Sequence, residues 1–369
     1  MLIVFQAFEG RYADSPRALH EALIARGSAH EHVWLLDPAH AAGFPGGLAT
    51  RRWGTPGARE ALEAADLLIA NTHTDVPWDK RPGARYLQTW HGTPLKRIHR
   101  DVLWAPVGRL DRLDQDVAKW DLLLSPNRDS TPWLRGAFRY DGPVLESGLP
   151  RNDVLQGPRA AQVREDVRRD LGITGEGPAV LYAPTWRDDA VFPEGGKVFE
   201  LELEVERVAD ALGKAGGVLL LRLHYTLTGR LPAVEHPAVR DVSFHPDISD
   251  LYLAADVLVT DYSSAMFDFA VTGKPQILFT YDLEDYEQRL RGFYFELEPA
   301  APGPLVRTSE ALLEALADLD GVETAYAERQ AAFRERFCHL EDGHATERVL
   351  DHLCGAARGA PARAPRPGG

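Results

Sequence analysis

The segment Gln88-Thr89-Trp90-His91-Gly92-Thr93-Pro94-Leu95-Lys96-Arg97 places an imidazole, a glycine, a hydroxyl and two cations within seven residues. Those residue types suit phosphate chemistry. His91 can move a proton near neutral pH, Gly92 lets backbone approach a ligand, and Lys96 and Arg97 can hold anions, with Arg100 beyond them. Pro94 is placed to open a helix. The competing reading is a histidine that caps a turn beside a solvated basic face, and the segment alone does not separate the two.

Further along, three strand ends carry polar groups. Val257-Leu258-Val259-Thr260-Asp261-Tyr262-Ser263-Ser264 reads as an apolar strand ending in Thr-Asp, then a serine pair that opens a helix. Thr260, Asp261, Ser263 and Ser264 together can bind a phosphate at a helix start, or the serines can simply be caps. Arg222 and His224 follow Leu219-Leu220-Leu221 and share one side of the chain by the two-residue period, which suits a diphosphate; a buried, satisfied histidine is the plainer alternative. In Ala183-Pro184-Thr185-Trp186-Arg187, Thr185 and Arg187 can receive phosphate oxygens. Asp188-Asp189 follows, but no supporting carboxylate or histidine cluster accompanies it, so neither a metal nor a cofactor is expected. The aromatics of Tyr281-Asp282-Leu283-Glu284-Asp285-Tyr286 and Arg291-Gly292-Phe293-Tyr294-Phe295 can frame a base or cover a sheet edge.

These groups need a scaffold that collects strand ends. Strand-like runs at Leu2–Phe5, His32–Leu36, Leu67–Ala70, Ala84–Gln88, Leu122–Ser125 and Val144–Glu146 alternate with helical patterns. Gly148-Leu149-Pro150-Arg151-Asn152-Asp153 is a turn-rich joint, after which the alternation restarts with Ala179–Tyr182, Val218–Leu223, Val257–Thr260 and Pro275–Phe279. The expectation is an α/β protein of two Rossmann-like, doubly wound domains facing a cleft. Residues 1–150 would form one, residues 151–355 the other, and 356–369 a disordered Ala/Arg/Pro/Gly tail.

Totals narrow the function classes. A chain of 369 residues with 41 Lys and Arg against 55 Asp and Glu carries 41 − 55 = −14 charges, which speaks against nucleic acid as a partner. Any anionic ligand must be held by a local basic patch. Two cysteines, Cys338 and Cys354, do not make a disulfide framework. The N-terminal residues read as a first strand rather than a signal peptide, and no long uncharged apolar run is present. No Gly-x-Gly-x-x-Gly, Walker loop, serine-hydrolase elbow or Cys-x-x-Cys occurs, which counts against dehydrogenases, P-loop NTPases and α/β-hydrolases.

Taken in order, Phe8-Glu9-Gly10-Arg11-Tyr12-Ala13-Asp14-Ser15-Pro16-Arg17, Trp90-His91-Gly92-Thr93-Pro94-Leu95-Lys96, Gly148–Asp153, Ala183–Arg187, Arg222-Leu223-His224, Thr260–Ser264 and Thr280-Tyr281-Asp282 with Arg291–Tyr294 resemble the CDP-glycerol glycerophosphotransferases of wall teichoic acid synthesis. The resemblance spans Phe5 to about Arg348. It implies a GT-B-like fold with an acceptor-facing N-terminal half and a CDP-glycerol-binding C-terminal half. It implies transfer of glycerol phosphate from CDP-glycerol to a lipid-linked, undecaprenyl-type acceptor with release of CMP, by a peripheral enzyme at the cytoplasmic face of the cell membrane. The chain length is nearer the priming enzymes than the longer polymerases. His91 and His224 are then the expected catalytic residues, His91 as general base. Gly92, Thr93, Lys96, Arg97, Thr185, Arg187, Arg222, Thr260, Asp261, Ser263 and Ser264 are the expected substrate contacts. A transferase using CDP-ribitol or a nucleotide sugar is the alternative, and a non-enzymatic scaffold a more distant one.

Overall fold

Short, wholly buried apolar strands that alternate with helices can be satisfied only by sheets covered on both faces, and two such sheets form. The computed structural model describes the chain except Asp75, Trp104, Pro106, Val107, Trp186, residues 188–200, 224–233 and 360–369, and the side chains of 356–359. The first sheet contains β1 (Leu2–Gln6), β2 (Glu31–Leu36), β3 (Ala49–Arg52), β4 (Leu67–Ala70), β5 (Arg85–Gln88), β6 (Leu122–Ser125) and β7 (Val144–Glu146). Its order is β3-β2-β1-β4-β5-β6-β7, and every pairing is parallel. The second contains β8 (Ala179–Ala183), β9 (Val218–Leu221), β10 (Val239–Asp241), β11 (Val257–Thr260), β12 (Gln276–Phe279) and β13 (Leu305–Val306). Its order is β10-β9-β8-β11-β12-β13, again parallel throughout.

Both sheets reverse direction of growth beside their first strand, between β1 and β4 and between β8 and β11. In doubly wound sheets a crevice opens at such a switch point, beyond the carboxyl ends of the strands. Asn71 follows β4 there, and Asp261 follows β11. The edge strands β3, β10 and β13 lack the long apolar runs that mark the central strands, and they escape the sequence reading for that reason.

The chain crosses between the sheets twice. After 147–153 leads into the second half, the helix Ala345–Gly359 returns to the first. Its Val349, Leu350 and Leu353 are buried with Ile3, Phe5, Leu19 and Trp34. The Asp153 carboxylate accepts the Ala345 and Thr346 N–H groups at 2.9 and 2.7 Å, which caps that helix from the other crossing. Helical backbone therefore runs to Gly359, beyond the expected start of the tail at 356; the rest of the tail lies outside the described residues. A separate apolar cluster joins Leu95 of the first half to Tyr262, Met266, Phe293 and Phe337 of the second.

Candidate active site

The loop after β5 is held in a sharp turn. Trp90 adopts φ +52, its N–H donates to Gln88 Oε1 at 2.9 Å, and Gln88 Nε2 donates to the Thr72 carbonyl at 3.1 Å. The buried Trp90 ring packs against the His91 imidazole with centroids 4.1 Å apart. His91 Nδ1 lies 2.6 Å from the carbonyl oxygen of Asn71. A carbonyl only accepts, so Nδ1 carries the proton and Nε2 keeps its lone pair. Burial lowers the His91 pKa from 6.5; the Asn71 contact and Asp14 oppose that, while Arg151 and Lys96 add to it.

Gly92 brings this loop against the opposite half. Its φ is +149, and a Cβ there would stand 2.8 Å from both Cβ and Oγ of Ser264. A side chain there fits only if the His91 loop or the Ser264 turn shifts. Beyond it, no helix starts at Pro94. Instead Leu95–Arg97 pairs with 292–294: Arg97 N donates to Gly292 O at 3.0 Å and Tyr294 N to Leu95 O at 2.9 Å. Thr93 is buried and its Oγ1 accepts from Asn127 Nδ2 at 3.1 Å.

A cavity of about 550 Å³ lies between the halves. Its first-half wall includes Asp14, His91, Gly92, Thr93 and Lys96; its second-half wall includes Thr185, Arg222, Ser263, Ser264 and Asp268. Among the described residues the buried Thr185 hydroxyl has no partner, so it has hydrogen-bonding capacity to offer. Arg222 lies one residue past β9, and its Nη1 donates to the carbonyls of Val242 and His245 at 2.9 and 3.0 Å. Burial lowers its pKa to about 10, so the guanidinium is charged at neutral pH. The lining also carries apolar groups, Phe8, Ile98, Val102, Leu110 and Leu113, with His73 and His99.

Several expected contacts sit elsewhere. Arg187 does not line the cavity. Its Nε and Nη2 donate to Asp282 at 2.7 and 2.8 Å, and its Nη1 donates to Asp261 Oδ2 and the Thr185 carbonyl, each at 2.8 Å. The guanidinium also lies over the rings of Tyr262, Tyr281 and Tyr286. Arg187 is a strut, because two carboxylates and three aromatic faces already take up its charge. Asp261 is part of the same frame, with Oδ1 accepting the Thr185 N–H at 2.8 Å. Thr260 Oγ1 donates to the Ala183 carbonyl at 2.7 Å, tying β11 to β8 beneath the floor. Arg97 is exposed and packs on Gly292, outside the cavity. The aromatics of 281–295 are mostly core and carry Arg187; they do not frame the cavity.

The helix after Ser264 spans only Ala265–Ala270, so its end is a weaker anion site than the sequence suggests; Ser263 Oγ accepts the Ala265 N–H at 3.2 Å. His224 lies outside the described residues. Among the described residues, no group of three or more His, Cys, Asp or Glu is placed to hold a metal. Sequence reasoning passed over Asn71, His73, His99 and Asp268 as site residues, since none has a local signal; each enters through the fold.

A family model of CDP-Glycerol:Poly(glycerophosphate) glycerophosphotransferase matches residues 1–355. The chain belongs to this glycerophosphotransferase family. It is 38% identical to the teichoic acid glycerol-phosphate transferase of Staphylococcus aureus, over 95% of this chain and 92% of that protein. It is 35% identical to the teichoic acid poly(glycerol phosphate) polymerase of Staphylococcus epidermidis, over 95% of this chain but only 50% of the polymerase. Among solved structures it resembles the wall teichoic acid polymerase TagF, with a TM-score of 0.86 and 34% identity, covering 97% of this chain and 89% of that one. A further TagF structure, of a variant soaked with CDPG, matches equally well in TM-score, 0.86. The two-sheet, GT-B-like architecture of the glycerophosphotransferase family is thus the architecture of this chain.

Proposed function

We propose that this chain transfers glycerol phosphate from CDP-glycerol to a lipid-linked, teichoic-acid-type acceptor and releases CMP. The observation that carries this reading is the placement of His91. Its Nε2 is left as the accepting nitrogen, in a cavity whose opposite wall offers Ser263, Ser264, Thr185 and Arg222. An acceptor hydroxyl attacks the β-phosphorus of CDP-glycerol. A new O–P bond forms as the bond to the CMP oxygen breaks, and His91 Nε2 takes the hydroxyl proton. Arg222 and the three hydroxyls meet the diphosphate charge, and Lys96 adds a cation from the His91 side. General-base positioning of this kind contributes roughly 10²–10⁴-fold.

The apolar groups of the lining suit the acceptor side. Exposed Leu103 adjoins Val102 among them, with Leu110 and Leu113 also in the lining, a surface suited to peripheral contact at the cytoplasmic membrane face. No helix among the described residues is long and apolar enough to cross a membrane.

CMP release from CDP-glycerol with a lipid-linked acceptor tests the reading, with CDP-ribitol run in parallel and product masses compared. His91→Gln is expected to fold normally and lose about 10²-fold or more of turnover. Near-wild-type turnover in that variant would show that His91 is not the base, and faster turnover with CDP-ribitol would reassign the donor.

A further inference from the structure

Arg151 lies in the first crossing between the sheets and is 6% exposed. Its Nη1 donates to the Asp14 carboxylate, in the first half. Its Nη2 donates to Asp268 Oδ2 at 2.5 Å, in the helix that follows Ser263 and Ser264. Asn152 Nδ2 adds a bond of 3.0 Å to Asp268 Oδ1. Asp14 reaches across a second time, its backbone N–H donating to Asp247 Oδ2 at 3.2 Å. Its φ is +64, a left-handed conformation that a non-glycine residue keeps only where its surroundings hold it.

The guanidinium stands directly behind the contact between the two halves. Arg151 Nη2 is 3.3 Å from where a Cβ on Gly92 would lie, and Ser264 is the other neighbour of that point. Two buried carboxylates from opposite halves repel unless one cation spans them. A planar guanidinium does this with separate nitrogens, whereas a lysine ammonium is a single point.

We propose that Arg151, Asp14 and Asp268 are positioning residues that set the spacing between the His91 loop and the Ser263–Ser264 turn, and that Asp14 also balances the imidazole as it takes the acceptor proton. This rests on His91 being the base. The groups that face His91 are the Asn71 carbonyl and Asp14, which favour its charged form, and Arg151, Lys96 and His73, which oppose it. Asp268 binds the same guanidinium from the opposite half, and its charge is weaker at His91 than those of Asp14, Arg151 and Lys96.

That asymmetry supplies the test. Asp14→Asn, Asp268→Asn and Arg151→Lys are made in the full chain, with kcat, KM for CDP-glycerol, the pH profile of kcat and the thermal midpoint measured for each. All three are expected to lower kcat by about 10²-fold with a smaller change in KM, as a displacement near 1 Å would. Asp14→Asn is expected to move the acidic limb to lower pH by more than Asp268→Asn does, because the imidazolium has lost its neighbouring carboxylate. Wild-type kcat in all three variants, or the same limb in Asp14→Asn as in Asp268→Asn, overturns the inference. Retained activity in His91→Gln, measured alongside, defeats the base assignment instead. If Arg151→Lys does not fold, the two Asn variants carry the test, since each leaves Arg151 one carboxylate.

Discussion

At the scale of single residues, the site depends on what each side chain is denied as much as on what it touches. His91 is denied the tautomer with a proton on Nε2, because a carbonyl sits at Nδ1. Arg187 is held by Asp261 and Asp282 outside the cavity lining. Gly92 is denied a side chain because Ser264 occupies the space. Gly92→Ala therefore brings two costs, a strained φ and a clash between halves. Stopped assays should show turnover lower by about 10²-fold, with a thermal midpoint reduced far less than turnover. Ser264→Ala in the same background removes the Oγ clash but leaves the Cβ clash and the strain, and takes a hydroxyl from the diphosphate, so the thermal midpoint is expected to recover in part while turnover does not.

At the scale of elements, the two crossings are tied by a carboxyl group. Glu341 Oε1 accepts the Leu149 N–H at 3.1 Å. Among the described residues, its Oε2 and Asn152 Oδ1 are both buried without hydrogen-bond partners. Burial together with Asp268 raises the Glu341 pKa from 4.5 to about 8, against the Leu149 N–H and the Asn152 side chain, which lower it. A carboxyl raised in the fold gives stability that is whole below 4.5 and is lost as pH rises through about 8. Glu341→Gln is neutral at every pH and has no buried charge to desolvate. Urea melts at pH 6 and pH 9 should show the wild-type losing stability over that interval and the Gln variant losing less. Equal losses would mean that Glu341 is ionised in the fold.

At the scale of the whole molecule, the last helix makes the first sheet depend on the far end of the chain. Leu350 is 2% exposed and packs with Ile3, Phe5 and Leu19. Leu350→Ala should cost about 2–5 kcal/mol of stability, read from denaturant unfolding. The loss should appear in probes of the first half, such as the buried Trp34, and not only near the substitution. Unchanged unfolding of the first half would show that the helix is dispensable to it.

How much of this was legible beforehand follows from the range of each interaction. Local patterns suffice for the central strands, because a run such as Leu219-Leu220-Leu221 can only be buried, and for the doubly wound class that the alternation implies. The order of motifs sufficed for the family. Chemistry visible in residue types did not reveal where charge was already spent. Arg187 and Arg222 read alike in sequence, yet one is closed on carboxylates from 74 and 95 residues away, while the other donates to two carbonyls and lines the cavity. Nor could a sequence show that Asp14, Arg151 and Asp268 meet, since they are 137 and 117 residues apart. Strand and helix periods are set by neighbours a few residues away, so the sequence alone determined the central elements and their class. Which cations remain open to a phosphate is set by partners that only the packing of two sheets brings together, and that the tertiary structure alone decided.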